Sequence, residues 1–180
     1  MTDGLPLVWG ATPAEVARRY PADDLYDEPV LAMTRAVPAA APAGVSWRWL
    51  CQIAVAPYSY DWLDNLGRRS PTTLTPAAER LRVGQAVNVL RLTEVTEGHH
   101  WTGQTTGGPR RAFGDVAMTY AAEPAGPDAS RMVCRVVCRV PSSPARARAV
   151  ALAWGDLVMM RKQLLTLADL AAQDAAGHPG

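Results

Sequence analysis

The alternation of apolar and polar positions is sharpest near the end of the chain. Met132, Cys134, Val136, Cys138 and Val140 fall on one face of a strand, and Arg131, Val133, Arg135, Val137 and Arg139 fall on the other. One face is dry and the other carries charge. Upstream, β-rich runs broken by turn residues occupy Val87–Val95, His99–Thr105 and Phe113–Ala122, and some of these split at internal turns, so the pattern predicts five or six strands after Leu81. Connections this short make the sheet antiparallel. An antiparallel sheet with one apolar face needs a cover, and the remaining long element supplies it: a helix from about Pro144 to Gln173. Val150, Ala153, Trp154, Leu157, Leu164, Ala168 and Ala171 form its apolar stripe at three- and four-residue steps.

The first part of the chain reads differently. Residues 1–30 are rich in Pro, Asp and Gly and read as an N-terminal arm with one short helix, capped by Thr12, entered at Pro13 and boxed by Glu15. Residues 31–176 then form one domain. A strand covers Leu31–Val37, Pro38 and Pro42 end it, and a helix follows from about Ala43 to Ala54 with Val45, Trp49 and Ile53 on one face. The segment from Tyr58 to Leu66 is short and aromatic, as one or two helical turns at a cavity mouth would be. The fold class is α+β: a curved antiparallel sheet around a long C-terminal helix, with two short helices after the first strand.

Composition narrows the function. At 180 residues the chain is one domain of ordinary size, able to bury roughly 70% of its unfolded surface. With 18 basic and 17 acidic residues the net charge is +1, which gives no footprint for nucleic acid or an anionic membrane. The apolar stretch from Ala147 to Leu170 is interrupted by Arg148, Asp156, Arg161, Lys162 and Asp169, so no membrane insertion is expected. The three cysteines lack CxxC spacing, and no leader pattern precedes them, which fits a reducing, cytoplasmic setting. Cys134 and Cys138, four residues apart on a strand, stand about 13 Å from each other and cannot pair. No metal is expected, and no nucleotide cofactor, because neither GxGxxG nor GxxxxGK[ST] occurs.

Three stretches carry a more specific likeness: Trp9-Gly-Ala-Thr-Pro-Ala-Glu-Val-Ala17, Ala41-Pro-Ala-Gly-Val-Ser-Trp-Arg-Trp-Leu-Cys-Gln52 and Tyr58-Ser-Tyr-Asp-Trp-Leu-Asp-Asn65. With the element order, they resemble a bacterial branch of the START-like (SRPBCC) superfamily, which includes polyketide cyclase/dehydrase and lipid-transfer proteins. The resemblance implies a helix-grip fold, a sheet of about seven strands gripping the terminal helix over a hydrophobic cavity. It does not imply one reaction. The middle strand departs from the branch at His99-His100-Trp101-Thr-Gly-Gln104.

The candidate chemistry follows from that cavity. Tyr60 and Asp61 at its lip are candidate acid and base, and His99 joins them if it faces inward with Trp101, since adjacent His99 and His100 point to opposite faces. Tyr58, Trp62, Trp101, Met118, Tyr120, Trp154, Leu157 and Met160 are candidate ligand contacts. Each also has a plain packing role: Asp61 as a helix cap, the histidines as solvated strand-end residues, the Trp and Met residues as core. The expected partner is a small hydrophobic molecule of polyketide-like, aromatic or lipid type, bound by a monomer or homodimer. Whether it is cyclised or dehydrated without a cofactor, or only carried or sensed, the residues leave open. An adaptor role for the arginine-bearing sheet face is a third reading.

Overall fold

The computed structural model describes residues 4–27, 29–59 and 69–177. Seven strands form one sheet: β1 (Val8–Trp9), β2 (Val30–Ala39), β3 (Ala86–Val87), β4 (Leu90–Thr96), β5 (His100–Thr105), β6 (Val116–Pro124) and β7 (Ser130–Arg139). Their spatial order is β1-β2-β7-β6-β5-β4-β3, antiparallel throughout except for β1, which runs parallel to β2. Among the described residues four α-helices accompany them: α1 (Pro13–Ala17), α2 (Ala43–Cys51), α3 (Gly107–Phe113) and α4 (Ser143–Gly177). A 3-10 turn over Gln52–Ala54 continues α2.

The alternation read from β7 holds. Met132, Cys134, Val136 and Cys138 are buried in the main core, facing α2 and α4. On β2 the inward positions are Leu31, Met33, Arg35, Val37 and Ala39, so a fully buried arginine interrupts an otherwise apolar row. The run expected from Val87 to Val95 divides at Asn88, whose φ of 50° turns the chain between β3 and β4. α3 lies between the expected runs His99–Thr105 and Phe113–Ala122, where the sequence Gly107-Gly108-Pro109-Arg110-Arg111 carries no apolar stripe. Pro109 falls in the helix's first turn, where its missing N–H costs nothing.

The face expected to be solvated is covered instead. Val133 and Val137 have no exposed surface, and they pack with Tyr20, Ala22, Ala36, Ala117 and Ala121 beneath the N-terminal arm. Arg131 donates to Glu15 at 2.8 Å, Arg135 to Asp23 at 3.0 Å, and Arg139 lies 3.8 Å from Asp115, so the arginines of β7 are already paired. Glu15 also closes the capping box with Thr12. Burial works against its carboxylate, but hydrogen bonds from Arg131 and Thr12 prevail and hold its pKa below the usual range. Gly10 is required where the arm meets β2: at its φ of 69°, a Cβ would lie 2.1 Å from the Ala36 carbonyl oxygen. The adaptor reading therefore loses its basic patch.

Candidate functional site

The first half of α4 crosses the sheet without filling the space beneath it. Ala151, Leu152, Gly155, Asp156 and Met159, on one side of the helix, border a cavity of about 440 Å³. The opposite wall comes from the inward positions of the sheet: Met33 on β2, Leu90 on β4, Val116 and Met118 on β6, Val136 and Cys138 on β7. Phe113 and Val89 border the same space and are 42% and 41% exposed, which places them at its mouth. Two of the five helix residues at its border, Ala151 and Gly155, are small. A Cβ added at Gly155 would meet nothing within 4 Å.

The wall is apolar with few exceptions among the described residues. Thr105 spends its hydroxyl on the Gly114 carbonyl at 2.7 Å. Burial pushes the Cys138 thiol up to about 12, so it is a neutral wall group and not a nucleophile. Asp156 is the charged exception. Its side chain is 24% exposed, and its Oδ2 atom lies 3.5 Å from Nη2 of the fully buried Arg35. Arg35 directs its hydrogen bonds elsewhere, from Nη1 to the Leu7 carbonyl at 2.7 Å and from Nη2 to the Ala153 carbonyl at 3.4 Å. Asp156 Oδ2 and Arg35 Nε are buried without hydrogen-bond partners. Burial pushes the Asp156 carboxyl up to about 6 against the opposing pull of Arg35, and burial likewise lowers the Arg35 guanidinium. Such a pair is a poor source of stability.

Beyond Met118 on the same face of β6 the cavity gives way to solid packing. Tyr120 stacks on Trp101 with ring centroids 4.4 Å apart. Its hydroxyl donates to Gln163 Oε1 at 2.8 Å, and Gln163 Nε2 donates to the Pro57 carbonyl at 2.5 Å. Trp101 Nε1 donates to the Leu50 carbonyl at 3.3 Å. The polar handles of both rings are committed within the protein.

Of the residues singled out in the sequence, Met118 borders the cavity. Trp101, Tyr120, Leu157 and Met160 are buried but do not line it. Tyr58 is buried edge-on against Trp49, 6.3 Å between ring centroids. Two candidates stand elsewhere than expected. Trp154 is 52% exposed, because the helix turns Ala153 and Leu157 inward and leaves Trp154 with Val158 on the solvent side. His99 lies exposed in the turn between β4 and β5, since the strand begins one residue later and the turn removes His99 from the alternation that points Trp101 inward. It borders a surface depression with Arg18 and Tyr20, on the arm side of the sheet, and His100 Nε2 lies 2.9 Å from Glu94. Tyr60, Asp61 and Trp62 lie outside the described residues.

Sequence reasoning passed over Arg35, Gly155 and Asp156. The signal for Arg35 was its phase, in register with Leu31, Met33 and Val37. Among the described residues, no group of three or more His, Cys, Asp or Glu could hold a metal ion, and no helix is long and apolar enough to cross a membrane.

A seven-stranded curved sheet, a long terminal helix on its inner face and a cavity under that helix define a helix-grip protein, the fold implied by the START-like resemblance. A solution NMR structure of a protein from Thermobifida fusca is similar to this chain at 16% identity, covering 79% of this chain and 93% of that one, with a TM-score of 0.54. Norcoclaurine synthase from Thalictrum flavum, in complex with dopamine and hydroxybenzaldehyde, is similar at 14% identity, covering 84% and 89%, with a TM-score of 0.49. A Mesorhizobium loti protein shows 15% identity, 78% and 97% coverage, and a TM-score of 0.49. No protein-family model and no curated protein matches the sequence. At such identities the likeness concerns the fold, and function rests on the site.

Proposed function

We propose that the protein encloses a small, largely apolar molecule, of aromatic, polyketide-like or lipid type, in the cavity beneath the first half of α4. One observation carries this reading: a space of about 440 Å³, walled largely by apolar side chains, lies between one flank of the helix and the inward positions of the sheet. Pockets of a few hundred Å³ with apolar walls and few polar groups are the usual form of small-molecule sites. In this reading the protein works without a metal or cofactor, in the cytoplasm, as a monomer or homodimer. Native mass spectrometry of the protein isolated from its own host, followed by denaturation and identification of any released molecule, tests it. A co-purifying aromatic or lipid-like species is the expected result. A protein that arrives empty and also fails to bind apolar aromatic probes would sink the reading.

A second reading, in which the enclosed molecule is cyclised or dehydrated, is favoured by Asp156. A carboxyl with a pKa near 6 at the wall of an apolar cavity is suited to moving a proton at neutral pH. Preorganisation of a flexible substrate by the cavity would supply the rest of the rate. A loss of turnover in Asp156→Asn far larger than its loss of affinity separates this reading from carriage.

A further inference from the structure

We propose that Asp156 anchors the one polar group of the ligand, and that this group is a neutral hydrogen-bond donor, a phenol or alcohol hydroxyl, on an otherwise apolar body. The proposal rests on the reading of the cavity as a small-molecule site and adds the chemistry of what fills it.

The carboxylate is underused by the protein. Among the described residues no donor hydrogen-bonds to it, and its companion Arg35 sends its own hydrogen bonds to the carbonyls of Leu7 and Ala153. Oδ2 itself is sealed against Arg35, so a donor arriving from the cavity would meet the part of the carboxylate that stays accessible, on its Oδ1 side. The path is clear on that side. A quarter of the Asp156 side chain is exposed, and neighbouring Gly155 places no side chain in the way.

Charge selects among donors. Arg35 and Asp156 together are neutral, and no other charged side chain lines the space among the described residues. A ligand carboxylate would meet Asp156 before Arg35 and be repelled. An ammonium would lose its hydration to reach a carboxylate already faced by a guanidinium, a poor exchange in an apolar site. A hydroxyl has neither penalty. It gives the carboxylate a charge-assisted hydrogen bond and leaves the Arg35 pair in place.

The test uses four molecules with one bicyclic aromatic body: naphthol, methoxynaphthalene, naphthylmethylamine and naphthoate. Affinities are measured by ligand-observed NMR titration at neutral pH, with the wild type and with the double variant Arg35→Met, Asp156→Leu. Replacing both members of a buried pair with apolar residues usually preserves folding, and the wild-type comparison stands without the variant. The expected result is naphthol binding about tenfold more tightly than methoxynaphthalene in the wild type, with that preference gone in the double variant and methoxynaphthalene still bound. Equal binding of naphthol and methoxynaphthalene would overturn the proposal and leave the apolar cavity standing. Tightest binding of the amine or of naphthoate would also overturn it, making the anchor an ion pair to Asp156 or to Arg35. Failure of all four to bind would remove the cavity reading and the proposal with it.

Discussion

From Met160 to Ala171, α4 buries Met160, Leu164, Leu167, Ala168 and Ala171 in the main core, while from Ala151 to Met159 the same helix turns Ala151, Gly155 and Asp156 toward open space. The backbone is one continuous helix, so geometry alone does not separate the halves. Side-chain size does. Where Leu164 and Leu167 recur at helical spacing the space over the sheet is solid, and where Ala149 and Ala153 hold the inward positions the flank beside them stays open. Asp156, the charged group at the border of that open space, belongs to the second of these regions.

The largest expected difference between the halves is in the cost of truncation. Leu164 has no exposed surface, and Leu164→Ala should destabilise the protein by about 2–5 kcal/mol, the range for a buried leucine whose methyls leave a new cavity. Leu152 is half-buried and already borders open space, so Leu152→Ala should cost less than about 1 kcal/mol, mostly lost transfer energy. Urea unfolding of the two variants measures both. Equal losses would mean that both halves are packed alike.

How far this contrast could be read from the sequence depends on what each element had to reveal. The inward face of β7 was legible because five alternating positions agree, and α2 and α4 because their apolar stripes are long. Met118 followed from the same period of two on β6. The cavity itself was not legible, since Ala151 and Gly155 are unremarkable in a helix rich in alanine, and an empty volume has no residue of its own. Asp156 looked like one more charge among Arg148, Arg161, Lys162 and Asp169, which are exposed, and only its side of the helix sets it apart. Trp154 and His99 attracted attention by type, but one lies a hundred degrees of helix from buried Ala153 and the other in a turn.

The pair also distinguishes the halves by pH. The Asp156 carboxyl is raised from 3.8 to about 6 in the folded protein, so between those values the folded state binds the proton and the unfolded state releases it. The contribution of Asp156 therefore makes the protein less stable as pH rises through that window and is relieved as pH falls. Between pH 7 and pH 5 the relief should amount to about 1 kcal/mol. Glu15, held below its usual range, contributes in the opposite direction at lower pH. Comparison with Asp156→Asn cancels such shared terms: the wild type should gain about that much relative to the variant on going from pH 7 to pH 5, measured by urea unfolding. The same change in both proteins would show that Asp156 ionises as freely in the folded chain as in the unfolded one.

The smallest expected effect probes the open half most directly. Glycine inside a helix costs about 0.5–1 kcal/mol relative to alanine, and at Gly155 no neighbour stands within 4 Å of an added Cβ. Gly155→Ala should therefore raise the unfolding free energy by a little under about 1 kcal/mol. Gly155 borders the cavity, so a larger side chain there should separate stability from binding. Gly155→Leu should keep the fold and lower affinity for any apolar probe, because the new side chain occupies the volume the probe needs. If Gly155→Ala destabilised the protein instead, the first half of α4 would be packed as tightly as the second, and the cavity beneath it would not exist in solution.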